Sequence, residues 1–282
     1  MILVDLNQVL LSGLMEQFST QKNLQYEEDL IRHIVLNTLR SKIKPFKSEY
    51  GEVVLCYDNM KYWRKEYFPF YKHNRKKMRE QSKFDWTSIF KILDKIKIEL
   101  KEYFPYKSLD IEGAEADDII GTLTCVFANS EKILILSSDG DFLQLQRWGK
   151  NVNQYNPVTK KFIKCDNPVH LLKEKIICGD KGDGIPNIFS PSDCFVRGVR
   201  QKRITEVKLQ ELLGDSPENW SDDTAKSGYE RNSVLIDLRM IPMHIKKSII
   251  DTYDSTKPNQ GKLFNYFIEK KLFNLMDYIE DF

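Results

Sequence analysis

The stretch Lys132 to Leu145, KILILSSDGDFLQL, limits what this chain can fold into more than any other. Its apolar run Ile133 to Leu136 does not alternate with polar residues, so it predicts a strand buried on both faces, as in a parallel sheet. The run stops in Ser137-Ser138, and Asp139 and Asp141 follow with only Gly140 between them. Open α/β sheets bind ligands just outside the carboxyl ends of their strands, which is where this pair would stand. Two further runs repeat the arrangement: Ile2 to Val4 ends in Asp5, and Glu52 to Tyr57 ends in Asp58. Each aspartate taken singly reads equally well as a turn former or helix N-cap. Three of them at the ends of parallel strands ask for a common explanation.

The segments between the strands predict covering helices. Helical periodicity runs from Asn7 to about Phe18, from Glu27 to Lys44 and from Trp86 to Phe104, with a short strand at Tyr106 to Leu109. In IEGAEADDIIGTL, Gly113 makes a turn, and Glu115, Asp117 and Asp118 fall in the first turn of a helix whose apolar face is Ile119, Ile120 and Leu123. The helix macrodipole favours acids there whether or not they bind anything. In an α/β sheet, however, the same helix N-terminus points at the carboxyl edge where Asp5, Asp58 and Asp139 already stand. A hairpin around Asn156-Pro157 pairs Asn151 to Tyr155 with Lys161 to Cys165, a helix runs from about Pro168 to Cys178, and the loop GDKGDGIPNI adds Asp180 and Asp183. Beyond Gly184 the sequence turns helical, with a basic segment (Arg197, Arg200, Lys202, Arg203, Lys208) and helices near Tyr229 to Leu238, Met243 to Tyr253 and Lys262 to Met276. The expected fold class is α/β: a mainly parallel sheet domain over residues 1–165, then an all-helical domain over 166–282.

Several function classes drop out. The 43 Lys+Arg against 41 Asp+Glu give a net charge of +2, so overall charge names no polyanionic partner. Cys56, Cys125, Cys165, Cys178 and Cys194 form no C-x-x-C pair, which argues against zinc or a disulfide framework and for a reducing cytoplasm. Asp5 breaks the apolar opening too early for a signal peptide, and no apolar run approaches the ~18 residues of a membrane span. Neither acidic loop is an EF-hand: the twelfth place from Asp139 is Lys150, and the third and fifth from Asp180 are Gly182 and Gly184. There is no Walker A loop, G-x-G-x-x-G or H-E-x-x-H, and His33, His73, His170 and His244 are scattered.

Charge is instead concentrated locally. Lys61 to Lys83 carries nine Lys/Arg against two acids, interleaved with Tyr62, Trp63, Tyr67, Phe68, Phe70 and Tyr71. Solvated helix faces are often basic, but aromatic rings stack bases while Lys and Arg follow phosphates, and the combination favours nucleic acid. Helical spacing places Lys72, Arg75, Lys76 and Arg79 on one face. Opposite them, Asp5, Asp58, Glu115, Asp117, Asp139, Asp141, Asp180 and Asp183 would crowd one sheet edge, where two charges ~4 Å apart repel by ~4 kcal/mol at an effective dielectric of ~20. Either several are protonated or divalent cations compensate them. Oxygen ligands without His or Cys select a hard ion, and beside a basic segment the matching reaction is two-metal phosphodiester hydrolysis.

VDLNQVL, VLCYDN, FYKHNRKKMR, EADD, SSDGDF and GDKGDGIP, in this order and spacing, resemble the five-prime nucleases of the flap endonuclease superfamily, and in particular their ribonuclease H branch in T-even-type bacteriophages. The likeness extends into YERNSVLIDL and GKLFNYF. It implies a PIN-like nuclease domain, a helical arch over about residues 60–84, and a helix-turn-helix variant that grips duplex DNA. Carried over by position, Asp5, Asp58, Glu115, Asp117 and Asp139 hold a first Mg2+ and Asp141, Asp180 and Asp183 a second, with Mn2+ able to substitute. Tyr71, Lys72 and Arg75 match arch residues that steer the scissile phosphate; Asp118 matches a motif position without a ligating role. The implied substrates are RNA–DNA hybrids and flap duplexes of lagging-strand fragments, and the implied partner is a phage single-stranded-DNA-binding protein on the helical domain of a monomer in the bacterial cytoplasm. Asn187 to Cys194, NIFSPSDC, departs from the glycine-rich potassium-binding hairpin of the family, and Asp5 lies too near the start for a leading sliding-clamp motif. Two other classes remain at this point: a haloacid-dehalogenase-type phosphatase with Asp139 as nucleophile, and a non-catalytic structure-specific DNA-binding module.

Overall fold

The computed structural model describes residues 1–19, 26–259 and 261–282. Strands β1 (Ile2–Asp5), β2 (Val53–Cys56), β3 (Lys107–Leu109), β4 (Ile133–Leu136), β5 (Val152–Asn156) and β6 (Lys161–Ile163) form one sheet in the order β3-β2-β1-β4-β5-β6. All neighbours are parallel except β5 and β6, the expected hairpin. Chain order runs outward from β1 through β2 and β3 on one side and resumes at β4 on the other. The topological switch point therefore lies between β1 and β4, with Asp5 and Asp139 at its lip.

Among the described residues the helices are α1 (Leu6–Phe18), α2 (Glu28–Tyr50), α3 (Trp63–Tyr67), α4 (Asn74–Glu80), α5 (Trp86–Tyr103), α6 (Ala116–Phe127), α7 (Pro168–Cys178), α8 (Glu206–Gly214), α9 (Asp223–Ile236), α10 (Met243–Ser255), α11 (Leu263–Glu269) and α12 (Phe273–Met276). Successive strand residues face opposite cores. Ile2, Val4, Val53, Leu55, Leu134 and Leu136 join α1, α2, α5, α11 and α12. Leu3, Val54, Cys56, Ile133 and Ile135 join α6 and α10. Burial on both faces is why these runs show no polar alternation. The C-terminal helices thus return to both sides of the sheet, and Phe282 itself is buried against Phe104 and Phe267.

Three elements differ from their sequence expectation for identifiable reasons. Helix α2 continues past Pro45 to Tyr50, because Phe46 and Tyr50 are anchored in the core and Phe46 packs its ring 4.7 Å from that of Tyr155; packing outweighs the missing N–H of proline. The expected helix over Lys262 to Met276 is broken into α11 and α12 at Lys271, which has φ 53°. Lys72 does not share a helical face with Arg75, Lys76 and Arg79: it has φ 55° and lies in the turn before α4.

A smaller core joins Phe68 and Tyr71 to Leu172 and Ile176 of α7, to Ile185, and to Leu235 and Ile236 of α9. It fixes the start of the arch and the loop after α7 in one unit. Helix α9 can approach that loop because residue 228 is glycine; a Cβ there would lie 2.1 Å from the carbonyl oxygen and 2.6 Å from the Cα of Ile188. Gly228→Ala forces this backbone apart, and overpacking of this kind costs ~2–3 kcal/mol. Urea denaturation should show that loss; an unchanged midpoint would mean the approach is not tight.

Candidate active site at the carboxyl edge of the sheet

Each strand-end aspartate is held by its local structure. Asp5, 6 % exposed, caps α1, with Oδ1 accepting from Gln8 N at 3.3 Å and Oδ2 accepting from the Ser137 hydroxyl at 2.8 Å. Asp58 accepts from Asn7 Nδ2 at 2.6 Å and from the backbone N–H of Ala116 at 2.9 Å, so it ties the end of β2 to the start of α6. Asp139 accepts from the backbone N–H of Asp141 at 2.9 Å as the 3₁₀ segment Gly140–Trp148 begins. Buried Gln154 of β5 donates to the carbonyls of Ser137 and Asp139 and fixes this turn from below.

Helix α6 brings the acidic pair Glu115 and Asp118 in as a reciprocal N-terminal capping box. Asp118 is fully buried, accepts from Trp63 Nε1 at 3.1 Å and pairs with Arg64 at 2.8 Å. It holds the base of the arch to α6, with its carboxylate committed to Trp63 and Arg64. Glu115 receives Arg64 Nη1 at 3.1 Å, the Tyr71 hydroxyl at 3.2 Å and Lys72 Nζ. Asp183 receives the same Tyr71 hydroxyl at 2.9 Å and Arg75 Nη2 at 2.6 Å. Lys72 reaches this position from its left-handed turn, where its backbone N–H donates to Asp183 O at 2.8 Å. The opposing residue is Gly184, with φ 73°, and a Cβ there would sit 3.0 Å from the Phe70 carbonyl oxygen.

The structure gathers the eight carboxylates, and they act on one another. Burial, followed by the charges of Asp58 and Asp139, pushes Asp5 up to about 7 against the lowering bonds from Ser137 and Gln8. Burial raises Asp117 well above the usual carboxylate range, with Glu115, Asp139 and Asp5 adding to it and Lys72 opposing. Asp139 is raised by burial, Asp183 and Asp180, against the pull of Lys175 and Lys72. Burial would raise Asp183 too, but Lys72, Arg75 and Tyr71 outweigh it and hold it low. Asp141 and Asp180 share the ammonium of Lys175, which lies 2.9 Å from Asp180 Oδ2.

Basic side chains therefore stand between the acids. Among the described residues, no three His, Cys, Asp or Glu side chains are arranged as they stand to hold an ion. The donor set is nevertheless all oxygen, which suits a hard divalent cation, and Asp5, Asp117 and Asp139 are held in the raised condition that such a cation relieves.

Sequence reasoning missed Lys175, read only as part of a covering helix; its signal is a lysine on the last turn of α7, five residues before Asp180. It also missed Asn7, Gln154 and Arg64. Arg64, 2 % exposed, belongs to the basic segment by sequence but spends its charge internally, and Trp63, Phe68 and Tyr71 are core residues and not a stacking platform. The cations left exposed on this segment include Lys65, Arg75, Lys76, Lys77 and Arg79.

Residues 2–175 match the family model of the 5'-3' exonuclease N-terminal, resolvase-like domain, and residues 169–282 match that of the T4 RNase H C-terminal domain. The chain is 36% identical to the ribonuclease H of Enterobacteria phage T4 over 99% of its own length and 95% of that protein. It is 30% identical to a 5'-3' exonuclease of Buchnera aphidicola subsp. Acyrthosiphon pisum over 55% of its length and 54% of the relative. Among solved structures, that of the T5 D15 protein co-crystallised with metal ions superposes with a TM-score of 0.60 at 17% identity, covering 90% of this chain and 98% of that one, and it shares the fold.

The raised Asp5 carries a stability consequence. Its folded value, about 7, lies above the ordinary 3.8, so its favourable contribution is complete at low pH and is lost as pH rises through 7. In chelator, Asp5→Asn should be more stable than the parent at pH 8, and the gain should grow by ~2–3 kcal/mol between pH 5 and pH 8, at ~1.4 kcal/mol per pKa unit. Urea titrations at the two pH values read this directly; a pH-independent difference would mean Asp5 is ionised throughout.

Proposed function

Because this chain belongs to the 5'-3' exonuclease family with a T4 RNase H C-terminal domain, and is a nuclease, we propose that it is a magnesium-dependent five-prime to three-prime exonuclease and flap endonuclease that removes RNA primers and adjoining DNA from lagging-strand fragments. The observation that carries the reading is the convergence of eight carboxylates from separate segments at the switch point, together with the cations of the arch. Asp5, Asp58, Glu115, Asp117 and Asp139 would hold one Mg2+ and Asp141, Asp180 and Asp183 the other. Bound there, such ions supply Lewis acidity for water and for the leaving oxygen. Lys72 and Arg75, which now neutralise Glu115 and Asp183, would turn to a scissile phosphate, and the Tyr71 hydroxyl, bonded to both acids, would orient them. Lys175 plays the matching part for Asp141 and Asp180.

The fold leaves exposed cations of α4 on the arch and a basic run at Arg200, Lys202 and Arg203 beyond the acidic loop, which suit the backbones of a single strand and a duplex respectively. The T5 flap endonuclease has been crystallised with DNA and metal ions, which supports a DNA substrate by analogy. A monomer acting in the bacterial cytoplasm, with a single-stranded-DNA-binding protein as partner of the helical domain, completes the proposal. Among the described residues no helix is long and apolar enough to cross a membrane.

A labelled RNA-primed duplex and a labelled flap duplex, each incubated with and without Mg2+ and resolved by product length, test the reading. Short five-prime products that require the ion are expected on both. Asp139→Asn should lower the rate by about a thousandfold or more while binding is retained, since the change also removes repulsion toward phosphate. Full activity in that variant, or cleavage indifferent to Mg2+, would overturn it.

A further inference from the structure

A groove of about 670 Å³ follows α6 away from the carboxylates, between that helix, the 3₁₀ segment Gly140–Trp148 and α10. It begins at Gly121, one turn beyond Asp117, and at ~1.5 Å per residue it reaches Cys125 and Val126 about 12–14 Å along the helix from Asp117. The walls are apolar: Leu145, Trp148, Leu238 and Ile250, with Val126 45 % and Met243 76 % exposed. Exposed apolar surface gathered in a concavity marks a contact site more often than scattered residues do, and methionine adapts to the shape it meets.

The rim is cationic and only partly paired, with Lys246 Nζ donating to the Arg239 carbonyl at 2.7 Å. Arg147, Arg239, Lys246 and Lys247 line it against the single carboxylate of Asp251. Nearby Asp237 is committed to Arg239 through both oxygens, at 2.6 to 3.0 Å. Among the described residues, Arg147 is partly exposed, but its Nη1 is shielded from water with no hydrogen-bond partner, and a shielded donor calls for an acceptor. Burial and the neighbouring Arg239 also push the Arg147 guanidinium below its usual range, with only Asp237 opposing.

We infer that this groove docks an acidic segment of another protein, one whose large apolar side chains fill the walls while flanking carboxylates meet Arg147 and Lys247. A nucleic-acid backbone would satisfy the rim but leave the apolar walls wet, whereas alternating carboxylate and apolar side chains satisfy both. The groove lies along the opposite stretch of α6 from Asp117, so its occupant tethers the enzyme and does not enter the site. This inference stands independently of the proposed metal chemistry.

The test uses the full chain and a fluorescein-labelled synthetic peptide in which leucine and phenylalanine are set among aspartates, read by fluorescence anisotropy. Saturable binding is expected, weakened about tenfold or more by either Val126→Asp or Lys247→Glu, a difference of ~1.4 kcal/mol. Both positions are exposed, so melting temperature and nuclease rate should stay at the parent values. A peptide of aspartates alone should bind far more weakly, and excess flap duplex should not displace the mixed peptide. Absence of saturable binding, equal binding by the all-acidic peptide, indifference to both substitutions, or displacement by the duplex would each overturn the inference, the last by assigning the groove to nucleic acid.

Discussion

Repulsion among crowded carboxylates is the constraint that organises this molecule. Parallel strands deliver Asp5, Asp58 and Asp139 to one edge, α6 adds Glu115 and Asp117, and the turns after β4 and α7 add Asp141, Asp180 and Asp183. A cluster like this is tolerated only with compensation, and the compensating groups come from the arch and α7, which a small apolar core already brings together. Lys72 and Arg75 bring the arch onto Glu115 and Asp183; Lys175 bridges Asp141 and Asp180. The active-site geometry and the docking of the arch are therefore one electrostatic problem.

Two kinds of cation can be separated by burial. Arg64 is locked between Glu115 and Asp118 inside the protein and has Leu235 O as a further acceptor, so it acts as a strut between arch, α6 and α9. Removing one partner of such a buried pair leaves an uncompensated charge, which costs far more than the pair contributes. Arg75 is 45 % exposed, and Lys72, 12 % exposed, ends on Glu115 and Asp183 without a backbone acceptor of its own, so both are held by fewer bonds than Arg64. This division explains how one short basic segment serves both the fold and the proposed chemistry.

Much of this was legible in the sequence, and the reasons are specific. Runs buried on both faces, such as Ile133 to Leu136, announce parallel strands, and an aspartate within a few residues of the end of each run stands at the carboxyl edge. What could not be read was direction and partnership. The aromatic content of Lys61 to Lys83 suggested base stacking, yet Trp63, Phe68 and Tyr71 are buried because the arch needs a core of its own. Lys72 was assigned to a helix by spacing, whereas its left-handed turn is imposed by contact with the Asp183–Gly184 loop, more than a hundred residues away. Lys175 was missed for the same reason: its place on the last turn of α7, five residues before Asp180, does not say which carboxylates its ammonium meets. The periodicity of α2 gave out at Lys44, yet Phe46 and Tyr50 carry the helix onward through Pro45 by tertiary packing.

The central claim is that these acids are held together to bind a pair of divalent cations in place of the lysines and arginines that now separate them. Crystals soaked in manganese, with anomalous difference density calculated at the sheet edge, address it most directly. The account predicts two peaks, one among Asp5, Asp58, Glu115, Asp117 and Asp139 and one among Asp141, Asp180 and Asp183, with Lys72 and Lys175 displaced from their present partners. Saturating manganese with no peak at this edge, or peaks only elsewhere on the surface, would contradict it.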